Sequence, residues 1–199
     1  MDAVERSGLR LKLLKQQAQA GDITLLFEDE SEALTHPYLA HMWAPRGADL
    51  RVEAPGQSKK IAILGVKNAA GGELHVVTSP TKRSSDFVTL LELLDREYGP
   101  ASARPILPVV LVLDNGPIHV SKLSTAALAA RPWITVEWLP KYAPELNDIE
   151  RDWRHLKRHY LANHVWRDLE DLDQCIHRSV AAITRSRTDH ALAESKRAA

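Results

Sequence analysis

VVLVLDNGP, residues 109–117, is the stretch that decides the fold. Five aliphatic residues follow one another without alternating with polar ones, which is typical of a strand buried on both faces of a sheet. The run ends on Asp114, and Gly116 and Pro117 then turn the chain. Functional side chains of α/β sheets collect where strands end and loops begin, so Asp114 is the first candidate for a functional residue.

The remaining hydrophobic patterns predict three strands in a meander, followed by alternating helices and strands. Strands at 61–66 and 74–77 flank the turn-forming segment 68–72, which indicates a hairpin. This order favours an α/β fold with a mixed sheet and helices on its faces. The other predicted elements are helix 3–20, strand 23–27 ending in the acidic triplet 28–30, a loop with an irregular strand at 37–58, a helix from 84 or 85 that stops at 99, helix 122–130, strand 134–139, helix 148–161 and helix 168–184.

Length, charge and composition limit the class of protein. A chain of 199 residues can bury one core and is too short for two large domains. Basic and acidic residues number 26 each, and this zero net charge disfavours a dedicated nucleic-acid clamp, although RDWRHLKR at 151–158 is locally basic. One cysteine, a charged N-terminus and no apolar run of the roughly 20 residues that a membrane span needs predict a soluble cytoplasmic protein.

The sequence lacks the signatures of several common sites. No GxGxxG or Walker-type glycine pattern occurs, which disfavours a dinucleotide-binding or P-loop enzyme. One cysteine and nine scattered histidines offer no zinc-ligand spacing.

Three carboxylates stand at the ends of predicted elements. Asp29 follows the first strand, Asp114 follows the buried strand, and Glu150 opens a helix. If the two strands are neighbours, Asp29 and Asp114 lie side by side at one sheet edge. Carboxylates that close repel each other unless one is protonated or a cation lies between them, and Mg²⁺ prefers such oxygen ligands.

Each of these residues also has a purely structural interpretation. Asp114 fits a structural role, as a turn or helix-cap residue, as well as it fits a functional one. Asp29 fits a solvated acidic turn with its two acidic neighbours, and Glu150 fits a capping box with Asn147. His119 fits a polar position early in a helix. The three acids are persuasive only as a set.

The segment LPKYAPELNDIERDWRHLK, residues 139–157, leads into the helix that carries Glu150. Two prolines fix the approach, and Asn147 is placed to cap the helix. Glu150, Arg154 and Lys157 fall beside the apolar face, so two cations follow the carboxylate along the helix. Such cations can contact a nucleic-acid backbone, whereas an ordinary Glu150–Arg154 surface pair is the alternative.

FEDES at 27–31, LVLDNGPIH at 111–119 and the 139–157 segment together resemble the catalytic domain of DDE transposases. They look closest to the bacterial insertion-sequence branch of the mariner superfamily. The three motifs occur in order, and the 35 residues between Asp114 and Glu150 are close to that superfamily's usual gap. Asp148 departs from the family, which more often has proline there, but aspartate is tolerated in a first helical turn.

The resemblance implies a ribonuclease H-like fold, with a mixed five-stranded sheet flanked by helices. It implies that Asp29, Asp114 and Glu150 are the catalytic, metal-binding triad, holding two Mg²⁺ ions for which Mn²⁺ can substitute. The implied reaction is DNA strand cleavage by water, followed by strand transfer in which the freed 3′-hydroxyl attacks. The supporting residues expected from this comparison are Asn115 and His119, which would orient a ligand or contact the phosphate, and Lys141, Arg154 and Lys157, which would contact DNA.

The start of the chain departs from the family. Such transposases carry N-terminal helix-turn-helix modules, and fewer than 30 residues precede Asp29. We therefore expect a helical extension at 1–20, a catalytic domain at 21–187 and a flexible tail at 188–199, without an end-recognition region. A fragment, a decayed copy and one product of a split gene remain open.

The expected partners are transposon-end and target DNA, a second copy of the chain in the active dimer, and a separately encoded helix-turn-helix protein. No membrane partner is expected. The alternatives are a metal-dependent nuclease of the same fold that cuts without joining, and a non-catalytic DNA-binding or interaction remnant.

Overall fold

The computed structural model describes residues 2–53 and 56–198, with side chains through residue 190. A short 3₁₀ turn at Pro144–Leu146 precedes the fifth helix. The helices and strands are α1 (Ala3–Ala20), β1 (Thr24–Leu34), β2 (Lys60–Asn68), β3 (Leu74–Ser79), α2 (Ser84–Tyr98), β4 (Val109–Leu113), α3 (Pro117–Val120), α4 (Lys122–Ala129), β5 (Ile134–Trp138), α5 (Glu150–His159) and α6 (Leu169–Ala198).

A mixed five-stranded sheet in the order β3-β2-β1-β4-β5 forms the centre of the fold. β1, β2 and β3 form the antiparallel meander, and β4 runs parallel to both β1 and β5. All five residues of β4 are buried, as its uninterrupted aliphatic run predicts. The predicted mixed sheet is confirmed, and β1 and β4 are neighbours.

Apolar side chains cover both faces of the sheet. Phe27 and Val112 face the cluster that contains α1, α5 and α6, while Leu26 and Leu111 face the cluster built on α2. This alternation follows from the two-residue period of a strand. Burying each large apolar side chain stabilises the fold by about 1.5–3 kcal/mol, so the two clusters hold the sheet rigidly between helices.

The predicted helices are present, with changes at their ends. α1 starts on the capping box of Asp2 and Glu5 and stops at Gly21, whose φ of 81° is left-handed. α5 begins two residues later than predicted, and its cap residue, Ile149, makes no side-chain bond. α6 continues to Ala198, well beyond 184, through a segment rich in good helix formers.

The first strand is much longer than predicted. β1 passes through the acidic triplet and ends at Leu34, so Asp29 lies inside the strand and not at its end. Acidic residues have low strand propensity, but pairing with β2 from Leu26 to Leu34 overrides it. The irregular strand expected within 37–58 is absent from described residues 39–53 and 56–58; Tyr38 forms one isolated bridge with Ala162.

Among the described residues, no helix combines the length and the apolar character needed to cross a membrane.

Candidate functional site

A cleft of about 450 Å³ opens beside the carboxyl end of β4, and all three predicted triad residues line it. The parallel register pairs Phe27 with Val112, so two residues further along Asp29 falls level with Asp114. The cleft's other lining residues are Asn115, Gly116, Pro117, Leu139, Pro140, Lys141, Tyr142, Ala143, Pro144 and Asn147. One concave surface therefore brings together three carboxylates that are distant in sequence.

Asp29 is held from the helix side of the sheet. The indole Nε1 of Trp153, on α5, donates a hydrogen bond of 3.1 Å to Asp29 Oδ2. Burial and then the negative charges of Glu150 and Glu28 raise the pKa of Asp29 to about 8. Crowded carboxylates of this kind are destabilising in the absence of a cation.

A glycine on the neighbouring strand makes room for that contact. Gly65 pairs with Asp29 across β1 and β2, and a Cβ atom there would lie 2.3 Å from the Trp153 ring. No side chain fits at this distance, so the indole needs glycine beneath it to reach Asp29.

We expect Gly65→Ala to destabilise the protein by about 1–3 kcal/mol, because the indole must move. Urea denaturation of the metal-free protein measures the change. Gly8→Ala is the matched control: its added Cβ lies 3.8 Å from the nearest Leu146 atom, and alanine favours the helix by about 0.5–1 kcal/mol. Equal stability of Gly65→Ala and wild type would show that the ring is not confined.

Asp114 follows β4, and one of its two oxygens is fixed by hydrogen bonds. Oδ1 accepts from the Gly116 amide and lies 2.7 Å from His119 Nδ1. The bond from His119, with that from the Gly116 amide, holds the pKa of Asp114 below its usual value against the effect of burial. Asp114 is therefore an anionic, half-exposed carboxylate on the cleft wall.

Glu150 is the first residue of α5, and the loop before it is tied to β1. Asn147 donates from Nδ2 to the backbone oxygen of Glu28 at 2.8 Å, and the Glu150 amide bonds the Asn147 carbonyl. The predicted cap by Asn147 is wrong, because the cap residue of α5 is Ile149 and no side chain caps the helix. The contact between Asn147 and Glu28 positions the start of α5, and therefore Glu150, beside the cleft.

The two supporting residues occupy different places. Asn115 lines the cleft and donates from Nδ2 to the Leu139 carbonyl at 2.5 Å, joining the loops after β4 and β5. His119 is fully buried, so its ring contacts Asp114 and not the surface of the cleft.

The three predicted DNA-contacting cations spread from the cleft outward. Lys141 is exposed and lines the cleft, next to Tyr142, which is 98% exposed. Lys157 is half-buried over the Tyr38 ring, and burial lowers its pKa against the opposing charges of nearby carboxylates. Arg154 is exposed, and among described residues it forms no ion pair with Glu150.

Comparison with known proteins identifies the family. The family model described as DDE superfamily endonuclease matches residues 24–173. The chain belongs to this family. It is 31% identical over 140 residues, 70% of the chain, to an uncharacterized 39 kDa protein of insertion element IS630 from Shigella sonnei. It spans 39% of that relative's length, so it corresponds to only part of it.

The fold is that of the DDE catalytic domain. A Mos1 transposase paired-end complex with the left transposon end superposes with a TM-score of 0.64 at 16% identity, over 94% of this chain and 58% of that one. A Mos1 mariner paired-end complex with Mn gives a TM-score of 0.60 at the same identity, over 94% and 60%. The predicted ribonuclease H-like architecture is thereby confirmed.

The donor atoms of this DDE cleft suit a hard divalent cation. Asp29, Asp114 and Glu150 offer only oxygens, and burial together with the charges of Glu150 and Glu28 raises the pKa of Asp29, so a cation between them would be favourable. A second group of ligand atoms shares only Asp114 with this triad: those of Glu30, Asp114 and His119 lie within 4.8 Å of one another.

Two functional features escape sequence reasoning. Glu28 belongs to an acidic triplet that reads as solvent-exposed, yet it is fully buried. Trp153 reads as core, yet it also bonds Asp29 across 124 residues of sequence. Strand alternation through 25–30 is the one signal that could have placed Glu28 and Asp29 on opposite faces.

Proposed function

We propose that this chain is the catalytic domain of a bacterial DNA transposase that cleaves DNA strands and joins them with divalent cations. Asp29, Asp114 and Glu150 are its metal ligands, residues 21–187 form the domain, and residues 1–20 are a helical extension. Support comes chiefly from one observation: the three carboxylates of a DDE family member line one cleft beside the carboxyl end of β4.

The residues of this chain would divide the work. Asp29, braced by Trp153, lies within β1, and Asp114, braced by Gly116 and His119, directly follows β4. Both carboxylates are therefore held by the sheet, as metal ligands require. Bound divalent cations would supply Lewis acidity toward the phosphate and toward the attacking and leaving oxygens. Lys141 on the cleft wall and Arg154 and Lys157 along α5 would contact the DNA backbone.

DNA and divalent metal are proposed as ligands because of what the solved structures with this fold are described as containing. The superposed Mos1 structures are described as complexes with a transposon end and with Mn, and another with Mg. We propose the same classes of ligand here, together with a second copy of the chain and a helix-turn-helix protein for end recognition.

Metal binding is the first test. We expect millimolar Mn²⁺ or Mg²⁺ to raise the melting temperature of the wild type by a few degrees, since a ligand at ten times its dissociation constant stabilises by about 1.4 kcal/mol. Asp114→Asn should lose the shift, and Glu92→Gln, an exposed carboxylate on α2, should keep it.

A wild type without any shift at saturating metal, and without Mn²⁺-dependent nicking of plasmid DNA, would contradict the proposal. Joining is tested separately, by transfer of a labelled 3′-hydroxyl end into plasmid. Nicking without transfer would identify a nuclease of the same fold.

A further inference from the structure

Two ionisable side chains lie buried directly behind Asp114, and only one of them, His119, enters the mechanism above. Glu28 and His119 have no solvent-exposed surface. Burying such groups costs several kcal/mol unless they are paired. A pair kept in the core of so small a domain calls for an explanation beyond stability.

His119 lies between two carboxylates. Its Nδ1 is 2.7 Å from Asp114 Oδ1, and its Nε2 is 2.9 Å from Glu28 Oε2. The second contact has ion-pair distance without the alignment of a hydrogen bond, and Glu28 has no other side-chain partner among the described residues. Burial alone would lower the pKa of His119, but the charge of Glu28 and the bond to Asp114 raise it above its usual value.

The imidazole is also confined sideways and from the front. The Phe87 ring meets it edge-on, with centroids 4.8 Å apart. Gly116 passes so close that a Cβ atom would lie 2.8 Å from Asp114 Oδ1 and 3.4 Å from His119 Nδ1. The ring therefore has little freedom to turn away from Asp114.

This arrangement gives the two carboxylate oxygens of Asp114 different surroundings. Oδ1 takes both the Gly116 and the His119 bonds, while Oδ2 accepts no hydrogen bond in the described part of the chain. Since the side chain is 46% exposed on the cleft, the open oxygen is the one available to a ligand. Glu28 acts one step further back, because its Oε2 faces Nε2 on the far side of the imidazole.

We propose that Glu28 and His119 are positioning residues, which fix the carboxylate of Asp114 so that Oδ2 is presented to the divalent cation. The inference rests on the proposed function, since it assumes that Asp114 is a metal ligand. Groups that orient a metal ligand from behind typically contribute 10- to 100-fold to metal affinity or activity.

The test separates positioning from folding by removing the pair without leaving a hole. In Glu28→Leu/His119→Phe, apolar side chains of similar size replace the buried ion pair, a change that is often neutral or stabilising. Glu28→Gln keeps an oxygen that can face His119 Nε2. His75→Gln is the control, because the half-buried His75 also packs edge-on against an aromatic ring, that of Tyr98, but lies outside the cleft.

Two quantities are measured: the thermal unfolding of the metal-free protein, and the dissociation constant for Mn²⁺ from a titration monitored by electron paramagnetic resonance. We expect the double variant to unfold no earlier than wild type, yet to bind Mn²⁺ about 10- to 100-fold more weakly. Glu28→Gln should stay within about threefold of wild type, and His75→Gln should match it. A purely structural role would instead make affinity follow stability.

Two results would overturn the inference, and they differ. If Asp114→Asn loses Mn²⁺ while the double variant binds it like wild type, positioning is wrong and the proposed function stands. If wild type itself binds no Mn²⁺, the proposed function and the inference fall together. Should the double variant not fold, Glu28→Gln/His119→Phe, which leaves no buried charge and still removes the donor to Asp114, gives the same readout, with the same 10- to 100-fold loss of affinity expected.

Discussion

Asp114→Asn should lower the rate of Mn²⁺-dependent DNA nicking about 10³-fold or more, a barrier increase of about 4 kcal/mol. The substitution removes the negative charge and keeps the shape. An asparagine oxygen can still accept from the Gly116 amide and from His119, so the loop after β4 should keep its conformation. The loss would therefore reflect lost metal binding and not unfolding.

Initial rates of supercoiled plasmid relaxation in Mn²⁺ measure this effect. Glu92→Gln, purified in the same way, should nick at the wild-type rate and so excludes a contaminating nuclease. Glu150→Gln should lower the nicking rate as Asp114→Asn does, because both carboxylates line the cleft. More than a tenth of wild-type activity in Asp114→Asn would remove Asp114 from the ligand set.

Features that depend on local sequence are predicted well. The aliphatic run 109–113 specifies a doubly buried strand whatever surrounds it, and Asp114 then falls at its end. The spacing of Trp153 and Leu156 likewise specifies the buried face of α5. Periodicity alone therefore predicts the sheet, its flanking helices and two of the three carboxylates at element ends.

Features that depend on a distant partner are not predicted. An acidic triplet resembles a turn until β2 is known to pair with it, and only then does Glu28 face the core and Asp29 the cleft. Asn147 resembles a helix cap, but its partner is the Glu28 carbonyl, 119 residues earlier. In each case a tertiary contact outweighs a local preference, and each lies at the candidate site.

Asp29→Asn should stabilise the metal-free protein by about 1–3 kcal/mol near pH 8, although it removes a proposed metal ligand. The pKa of this carboxyl rises from 3.8 to about 8 through burial and the charges of Glu150 and Glu28. The full shift would be worth more, but water entering the open cleft screens these charges. Asparagine keeps an oxygen for the Trp153 bond and carries no charge.

The pH dependence has a definite sign. A carboxyl whose pKa is higher in the folded than in the unfolded state makes the folded protein bind more protons, so the free energy of unfolding falls as pH rises from about 4 to about 8. Asp29→Asn lacks this fall. Its stability advantage should therefore be small at pH 4, grow through neutral pH and level off above pH 8.

Bound metal should make wild type more stable than Asp29→Asn, the reverse of their order without metal. Urea denaturation at pH 8 in EDTA should place Asp29→Asn above wild type, and saturating Mn²⁺ should stabilise wild type alone. Glu92→Gln should follow wild type under both conditions. A variant less stable than wild type in EDTA would mean that Asp29 contributes to folding through contacts beyond the charge-crowded cleft. The predicted reversal of stability is instead expected of a carboxylate that binds a cation and destabilises the metal-free protein.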